Sequence, residues 1–474
     1  MKSERQWDIK VSHYALNTIN PIRQVLENLN ASPNPNKKLI PLSIGDPTVF
    51  GNLEPNNIIL EAMIESIQSN KFNGYLPSNG VESARQAIAE YSSTSNVQVD
   101  PKDVIITSGC SHALEMAINV LAEPGKNILL PRPGFPLYQT LCGGLGIGMK
   151  FYNLNAENDW EIDLDHLESQ IDPSTVAIVY NNPSNPCGSV YPSNHIRSFL
   201  KICEKYKIPV IADEIYEHLV FPGHKFIPLA SLTQEVPILS CRGTTKRFMV
   251  PGYRCGWIII HDKQERFGNS IRKGLNNLTH RIVGANSIVQ GALPKILRDT
   301  PASFFEDCIS LIQANAKICF SIVSRIPGLT PIMPAGAMYI MIGLDINYFP
   351  GITSDLHFVE RLMSEESIFV LPGKIFGVNG YVRVVLTVPT DLVIEACTRL
   401  ESFCLRNAVL PTLKHQNNIN TANNNNNNNN NNNLNNNQQP QITTTTPQPP
   451  TQTTLTTKTL PNIQLNLRES VKVD

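Results

Sequence analysis

Short apolar runs alternate with amphipathic stretches between about Leu76 and Pro327. Val104–Thr107, Asn127–Leu130, Val176–Tyr180, Pro209–Ala212, Ile238–Ser240 and Gly256–Ile260 are each short, rich in apolar and β-branched residues, and read as strands. Between them Leu114, Ala117, Ile118 and Leu121 recur at helical spacing, and Ile196, Phe199, Leu200 and Cys203 do so again. Strands interleaved with helices predict an α/β domain over residues 76–327, with a mostly parallel central sheet covered by crossover helices. After Pro327 the pattern shortens to a strand (Ala337–Ile342), a helix (Leu356–Glu365), a strand (Tyr381–Thr387) and a closing helix (Asp391–Phe403). These suffice for a smaller α+β domain over residues 328–410, to which an N-terminal arm, residues 1–75, is expected to contribute.

From about Asn423 the chain becomes an asparagine tract followed by Gln, Thr and Pro, a composition that cannot bury enough apolar surface to offset its ordering entropy. Residues 411–474 are therefore expected to be a disordered tail. The 474 residues exceed what one hydrophobic core organises, in line with more than one domain. With 39 basic and 40 acidic residues the net charge is -1, which gives no footprint for nucleic acid or an anionic membrane and favours a small-molecule partner. Met1 to Lys10 is polar, and no run approaches the roughly 18 apolar residues of a membrane span. A non-secreted, cytoplasmic protein is the expectation. The 10 cysteines are scattered singly, without metal-ligand spacing, and read as buried free thiols rather than ligands.

In open α/β sheets, ligands bind beyond the carboxyl ends of the strands, so the residues that follow each apolar run carry the chemistry. Ser108-Gly109-Cys110-Ser111 leads from a strand into a helix, whose free N–H groups and positive dipole end suit a phosphate; an ordinary helix cap would look the same. The same stretch nearly matches the Gly-x-Ser-x-Gly elbow of serine hydrolases through Gly109 to Ala113. Asn181 to Gly188 is a turn cluster in which an amide could hold an anionic ring oxygen without adding charge. Asp213 closes a buried strand; it either caps the next helix or keeps a pyridine nitrogen protonated. Lys246 stands in a glycine-containing loop beside Arg247 and near Arg254, neighbours that depress an amine pKa toward a usable range.

Taken together, these segments resemble the fold-type I pyridoxal phosphate enzymes, and within them the tyrosine aminotransferase family. The resemblance runs through Ser43 to Leu53, Thr107 to Ser111, Pro131 to Phe135, Asn181 to Gly188, Ala212 to Tyr216, Lys246-Arg247, Val250 to Arg254 and Arg383 to Val385, and covers roughly Val11 to Asn407. It implies that Lys246 carries pyridoxal 5'-phosphate as a Schiff base and serves as general acid and base, with Asp213 paired to the pyridinium nitrogen. It further implies that Tyr216 and Asn185 bond the ring oxygen, that Gly109, Cys110, Thr244 and Arg254 hold the phosphate, and that Phe135 stacks on the ring. Arg383 would clamp the substrate α-carboxylate with Gly45 beside it, and Tyr75 would reach the phosphate of a partner subunit in a homodimer. Two departures stand out: Thr244-Thr245 where members commonly carry leucine or alanine-type residues, and Tyr253 where tryptophan is common.

The reaction implied is amino transfer from an aromatic L-amino acid, tyrosine foremost, to a 2-oxo acid such as 2-oxoglutarate, giving 4-hydroxyphenylpyruvate and L-glutamate. A carbon–sulfur β-eliminating lyase on the same scaffold is the nearer alternative. A serine hydrolase built on Ser111 with Asp213 and His261 is the distant one, and it leaves Lys246, Arg254 and Arg383 without roles. A ligand-sensing regulator would need a DNA-binding domain, for which the region before Ser43 is too short and uncharged.

Overall fold

The computed structural model describes Trp7 and residues 9–409; the expected tail, residues 411–474, lies outside the described residues. Among the described residues the strands build an eight-stranded, a four-stranded and a two-stranded sheet. Across the large sheet the order is Val104–Ser108, Cys255–His261, Ile238–Gly243, Val210–Asp213, Thr175–Asn181, Asn127–Arg132, Gly148–Asn155 and Glu161–Ile162. The run from Ile238–Gly243 to Gly148–Asn155 is parallel, while Cys255–His261 is antiparallel to both neighbours. The mostly parallel α/β sheet expected from the sequence is present. All six apolar runs in the large domain gain a residue or more at one or both ends, and the one expected at Pro209–Ala212 also loses Pro209, so that it runs Val210–Asp213.

Alternation along the central strands decides what each side chain meets. Val210, Ala212, Ile178, Tyr180 and Ile238 pack on one face with Ile196, Phe199, Leu200 and Cys203 of the helix Ser193–Tyr206. Ile211, Val179, Leu239 and Cys241 pack on the other with Ala113, Leu114, Ala117 and Ile118 of the helix Cys110–Leu121. Both faces are covered, so the strands read as continuous apolar runs rather than alternating ones. Phe199 is fully buried, which contributes roughly 1.5–3 kcal/mol. Asp213 shares parity with Ile211 and therefore points to the face covered by the helix Cys110–Leu121, where Cys110 and Tyr138 lie.

The four-stranded sheet is antiparallel, in the order Leu329–Ile332, Tyr339–Leu344, Tyr381–Val385 and Leu371–Pro372. The helices Ala302–Val323 and Thr390–Asn407 pack on each other beside it. Ile40–Pro41 pairs in parallel with Ile368–Phe369, and the Val385 N–H donates to Leu42 O at 3.0 Å. The N-terminal segment is thereby stitched to the second sheet, which delivers Ser43 and Gly45 to the region where the two sheets meet. The expected strand at Ala337 begins at Tyr339 instead, because Ala337 has φ +56° and its N–H turns back to Leu219 O at 2.7 Å. Strands Gly148–Asn155 and Glu161–Ile162 were not anticipated; the first mixes exposed, half-buried and buried positions at the sheet margin and carries no clear apolar pattern. All ten cysteines are free and buried. No helix among the described residues is long and apolar enough to cross a membrane.

Candidate active site

The strand ends converge on one cavity of about 330 Å³. Its lining includes Gly45, Cys110, Ser111, Phe135, Asn185, Asp213, Tyr216, Thr245, Lys246, Arg254, Tyr339 and Arg383.

Asp213 is only 3% exposed, and the hydrogen-bond partners of its carboxylate are all neutral. Tyr138 Oη donates to Oδ2 at 2.6 Å, the Ile215 N–H to Oδ1 at 3.3 Å, and Cys110 Sγ lies 3.9 Å from Oδ1. Burial pushes the Asp213 carboxyl up to about 6, against the pull of the Tyr138 and Ile215 hydrogen bonds. Burial and the neighbouring carboxylate hold the Tyr138 phenol well above its ordinary range, so it stays a donor. A carboxylate in this state is short of a cation, and the cavity is where one can be supplied.

The turn that carries Asp213 and Tyr216 is braced from behind. Arg242 donates to Glu214 Oε2 through Nε at 2.9 Å and Nη2 at 2.6 Å, and reaches Glu217 Oε2 through Nη1 at 2.6 Å. Glu214 Oε1 accepts from the Leu229 N–H at 3.0 Å. Truncating Arg242 to alanine leaves two buried carboxylates without their cation and should cost about 3–5 kcal/mol of stability. Urea unfolding of Arg242→Ala beside the natural chain measures this; an unchanged midpoint would show that the cluster does not brace the turn.

Gly109 precedes the helix Cys110–Leu121 with φ +78°, a backbone region open to glycine, and a Cβ there would collide with the Arg254 guanidinium. The phosphate reading of this turn needs one correction: the Gly109 N–H is already donated to Thr107 O at 2.9 Å. His112 and Ala113 donate to Gly109 O, so the N–H groups left without a helical acceptor are those of Cys110 and Ser111. A second correction concerns Thr244, which is buried with its N–H and hydroxyl both directed at Cys255 O, at 3.1 and 3.4 Å; Thr245 is the neighbour that faces the cavity.

Lys246 Nζ donates to Gly45 O at 2.5 Å and stands 5.9 Å from the centre of the Tyr216 ring. Of the two arginines expected beside it, Arg254 lines the cavity, whereas Arg247 is turned to Tyr91 Oη and lies 4.1 Å over the Phe305 ring. Arg383 comes from the second sheet. It is 3% exposed, donates through Nη1 to Asn185 Oδ1 at 2.8 Å and through Nη2 to Ser43 O at 2.7 Å, and its buried Nε has no partner. Its guanidinium lies 4.1 Å from the Tyr339 ring centre and 4.8 Å from that of Phe376, and burial draws its pKa below the ordinary value. With Arg383 on its carbonyl, the Asn185 side chain keeps its amide donors for a ligand. Asp213 and Arg383 are thus a buried anion without a cation and a buried cation without an anion, with Lys246 lining the same cavity.

Tyr75 is not brought to this cavity; it is 91% exposed. Tyr138 and Tyr339 belong to the site and carried no signal in the sequence, since each reads as one more aromatic in an apolar stretch.

The model of the family Aminotransferase class I and II matches residues 37–400. The chain belongs to the class I and II aminotransferases. Within that family it is similar to tyrosine aminotransferase of Mus musculus, 49% identical over 84% of this chain and 88% of that one. Tyrosine aminotransferase of Dictyostelium discoideum is 44% identical over 85% of this chain and 97% of the relative. The crystal structure of tyrosine aminotransferase from Leishmania infantum superposes with a TM-score of 0.81 at 36% identity, covering 85% of this chain and 100% of that one. The fold-type I architecture and aminotransferase class read from the sequence are those of the family. The hydrolase alternative has no geometry behind it: among the described residues Ser111 has no hydrogen bond to a histidine, Asp213 is bonded by Tyr138, and His261 Nε2 is buried without a partner.

Proposed function

We propose that this aminotransferase moves the amino group of L-tyrosine to 2-oxoglutarate with pyridoxal 5'-phosphate as cofactor, forming 4-hydroxyphenylpyruvate and L-glutamate. The observation that carries the reading is the complementary pair of uncompensated buried charges, Asp213 and Arg383, lining one cavity with Lys246. When bound, the cofactor supplies an electron sink that makes the substrate Cα–H acidic. Asp213 fits a protonated pyridine nitrogen, because its buried carboxylate otherwise meets only neutral donors. The Cys110 and Ser111 N–H groups at a helix N-terminus, with Arg254 and Thr245, fit the phosphate. Tyr216 and the Asn185 amide fit the ring oxygen, and Phe135 supplies an apolar surface to the ring.

Arg383 would bind the substrate α-carboxylate through its planar fork, oriented by Asn185 and Ser43. Lys246 Nζ would take the proton from the substrate Cα, held near it by Gly45 O. Ile22, Leu26, Ile44 and Leu371 give the same cavity an apolar wall suited to an aromatic side chain. In this reading residues 76–327 carry Lys246 and Asp213, residues 328–410 carry Arg383, and exposed Tyr75 serves a second copy of the chain in a homodimer. Purified protein reconstituted with pyridoxal 5'-phosphate should show a visible absorption band that bleaches with L-tyrosine and returns with 2-oxoglutarate. No band after reconstitution would overturn the reading, and pyruvate and ammonia released from a cysteine conjugate without any 2-oxo acid would turn it to the lyase.

Asp213 also makes a prediction about stability. Its folded pKa of about 6 stands above the value of about 4 for an unfolded chain. Between those values the folded state keeps a proton at Asp213 that the unfolded state has lost, so in the cofactor-free protein this group takes stability away as pH rises from about 4 to 6, while His218 and His261, held below their ordinary range by burial, work in the opposite sense. The loss should be on the order of 2–3 kcal/mol at neutral pH. Urea unfolding at both ends of the window should show the natural apoprotein losing stability relative to Asp213→Asn as pH rises, since the other titrating groups are common to both chains. Bound cofactor, supplying the cation, should remove this contribution in the natural chain.

A further inference from the structure

Tyr339 has no part in the roles above, yet it stands at the centre of the site. It opens the strand Tyr339–Leu344, is buried, and its hydroxyl lies 2.8 Å from that of Tyr216. Strand register fixes its place: Tyr339 is opposite Val385 and Met341 opposite Arg383, so Tyr339 and Arg383 project from one face as diagonal neighbours. The turn before the strand is tied down on two sides, with the Ala335 and Gly336 N–H groups both on Gly188 O at 2.9 Å and the Ala337 N–H on Leu219 O. Gly45 passes so close that a Cβ on it would collide with the Tyr339 hydroxyl.

A phenol has one proton to give. When Tyr216 gives its proton outward to an anionic ring oxygen, its own oxygen is left to accept, and Tyr339 is the donor within reach. We propose that Tyr339 is a positioning residue, which donates to Tyr216 and thereby directs the Tyr216 proton at the ring oxygen of the bound cofactor. This rests on the function proposed above. The charged and titratable groups that face the pair are Lys246, Arg383 and Asp213. Burial works against ionisation of Tyr339, but the Lys246 ammonium and the Arg383 guanidinium draw its phenol below the ordinary value. Burial and the Tyr339 neighbour push Tyr216 well above its own. The stronger acid donates and the weaker one keeps its proton for the cofactor, and hydrogen bonds in such a chain reinforce one another.

A hydrogen bond that spreads the charge of the ring oxygen lowers the proton affinity of the nitrogen joining Lys246 to the cofactor. Tyr339→Phe keeps the ring against Arg383 and Gly45 and removes only the hydroxyl. The test titrates the visible band of the reconstituted holoenzyme with pH, for the natural chain, Tyr339→Phe, Tyr216→Phe and the double variant. Tyr339→Phe should raise the midpoint by roughly half to one pH unit, as expected for one hydrogen bond. Tyr216→Phe should raise it further, and Tyr339→Phe should add nothing in that background. Equal midpoints in the natural chain and Tyr339→Phe, or additive shifts in the double variant, overturn the relay while leaving the proposed function intact. A natural chain without any visible band overturns both.

Discussion

Replacing Lys246 with alanine should lower kcat for tyrosine transamination by about 10⁴-fold or more, the upper range for loss of a general acid–base group, since covalent attachment of the cofactor goes with it. Lys246 is the lysine that lines the cavity, and its ammonium is held by Gly45 O rather than by a carboxylate, which leaves it to react once deprotonated. The fold should survive, because the side chain is only partly buried and anchors no core cluster. Lys246→Arg keeps the charge but offers no lone pair near neutral pH, so it should be as inactive as alanine. Stopped-flow rates of the tyrosine half-reaction, with circular dichroism as the control for folding, provide the measurement. Retention of more than about a tenth of kcat in either variant would remove Lys246 from the chemistry.

Replacing Arg383 with methionine should cut kcat/KM for tyrosine by about 10²- to 10³-fold, carried mainly by KM. That corresponds to the loss of a buried, hydrogen-bonded charge pair with the substrate, about 2–5 kcal/mol. Stability should move far less. The variant leaves Asn185 Oδ1 and Ser43 O without their donor, at roughly 1–3 kcal/mol each, but it also relieves the cost of a buried cation that has no counter-ion. Arg383→Lys keeps the charge without the fork and should fall between the two. Steady-state kinetics beside thermal melts separate these effects; a large drop in Tm with unchanged KM would make Arg383 a structural residue instead.

The sequence made Asp213, Lys246 and the Ser108–Ser111 turn visible because each follows an apolar strand, and a parallel sheet exposes whatever follows its strands at one edge. Arg383 could not be found that way. Its place depends on antiparallel pairing in the second sheet, and it emerged only through resemblance. Tyr138 and Tyr339 are harder still: their partners Asp213 and Tyr216 lie 75 and 123 residues away, and a hydroxyl inside an apolar stretch gives no local sign of what it will bond. The errors in the phosphate cradle have the same origin. Residue type and order indicated a donor-rich turn, but which N–H groups remain free depends on the acceptor each one meets, and Gly109 and Thr244 spend theirs on Thr107 and Cys255. Gly148–Asn155 went unread because its mixed exposure breaks the apolar run by which its neighbours were recognised.

The bond from Arg383 to Ser43 O spans 340 residues of chain, and the strand Ile40–Pro41 waits for its partner at Ile368–Phe369. On the ribosome, the strands that bear Asp213 and the loop that bears Lys246 emerge well before Tyr381–Val385 is made. A nascent chain arrested between these points holds the residues proposed for the cofactor, and Ser43 and Asn185 that orient the clamp, but not Arg383 itself. The last strand to be synthesised among the described residues is therefore the one that completes the substrate site.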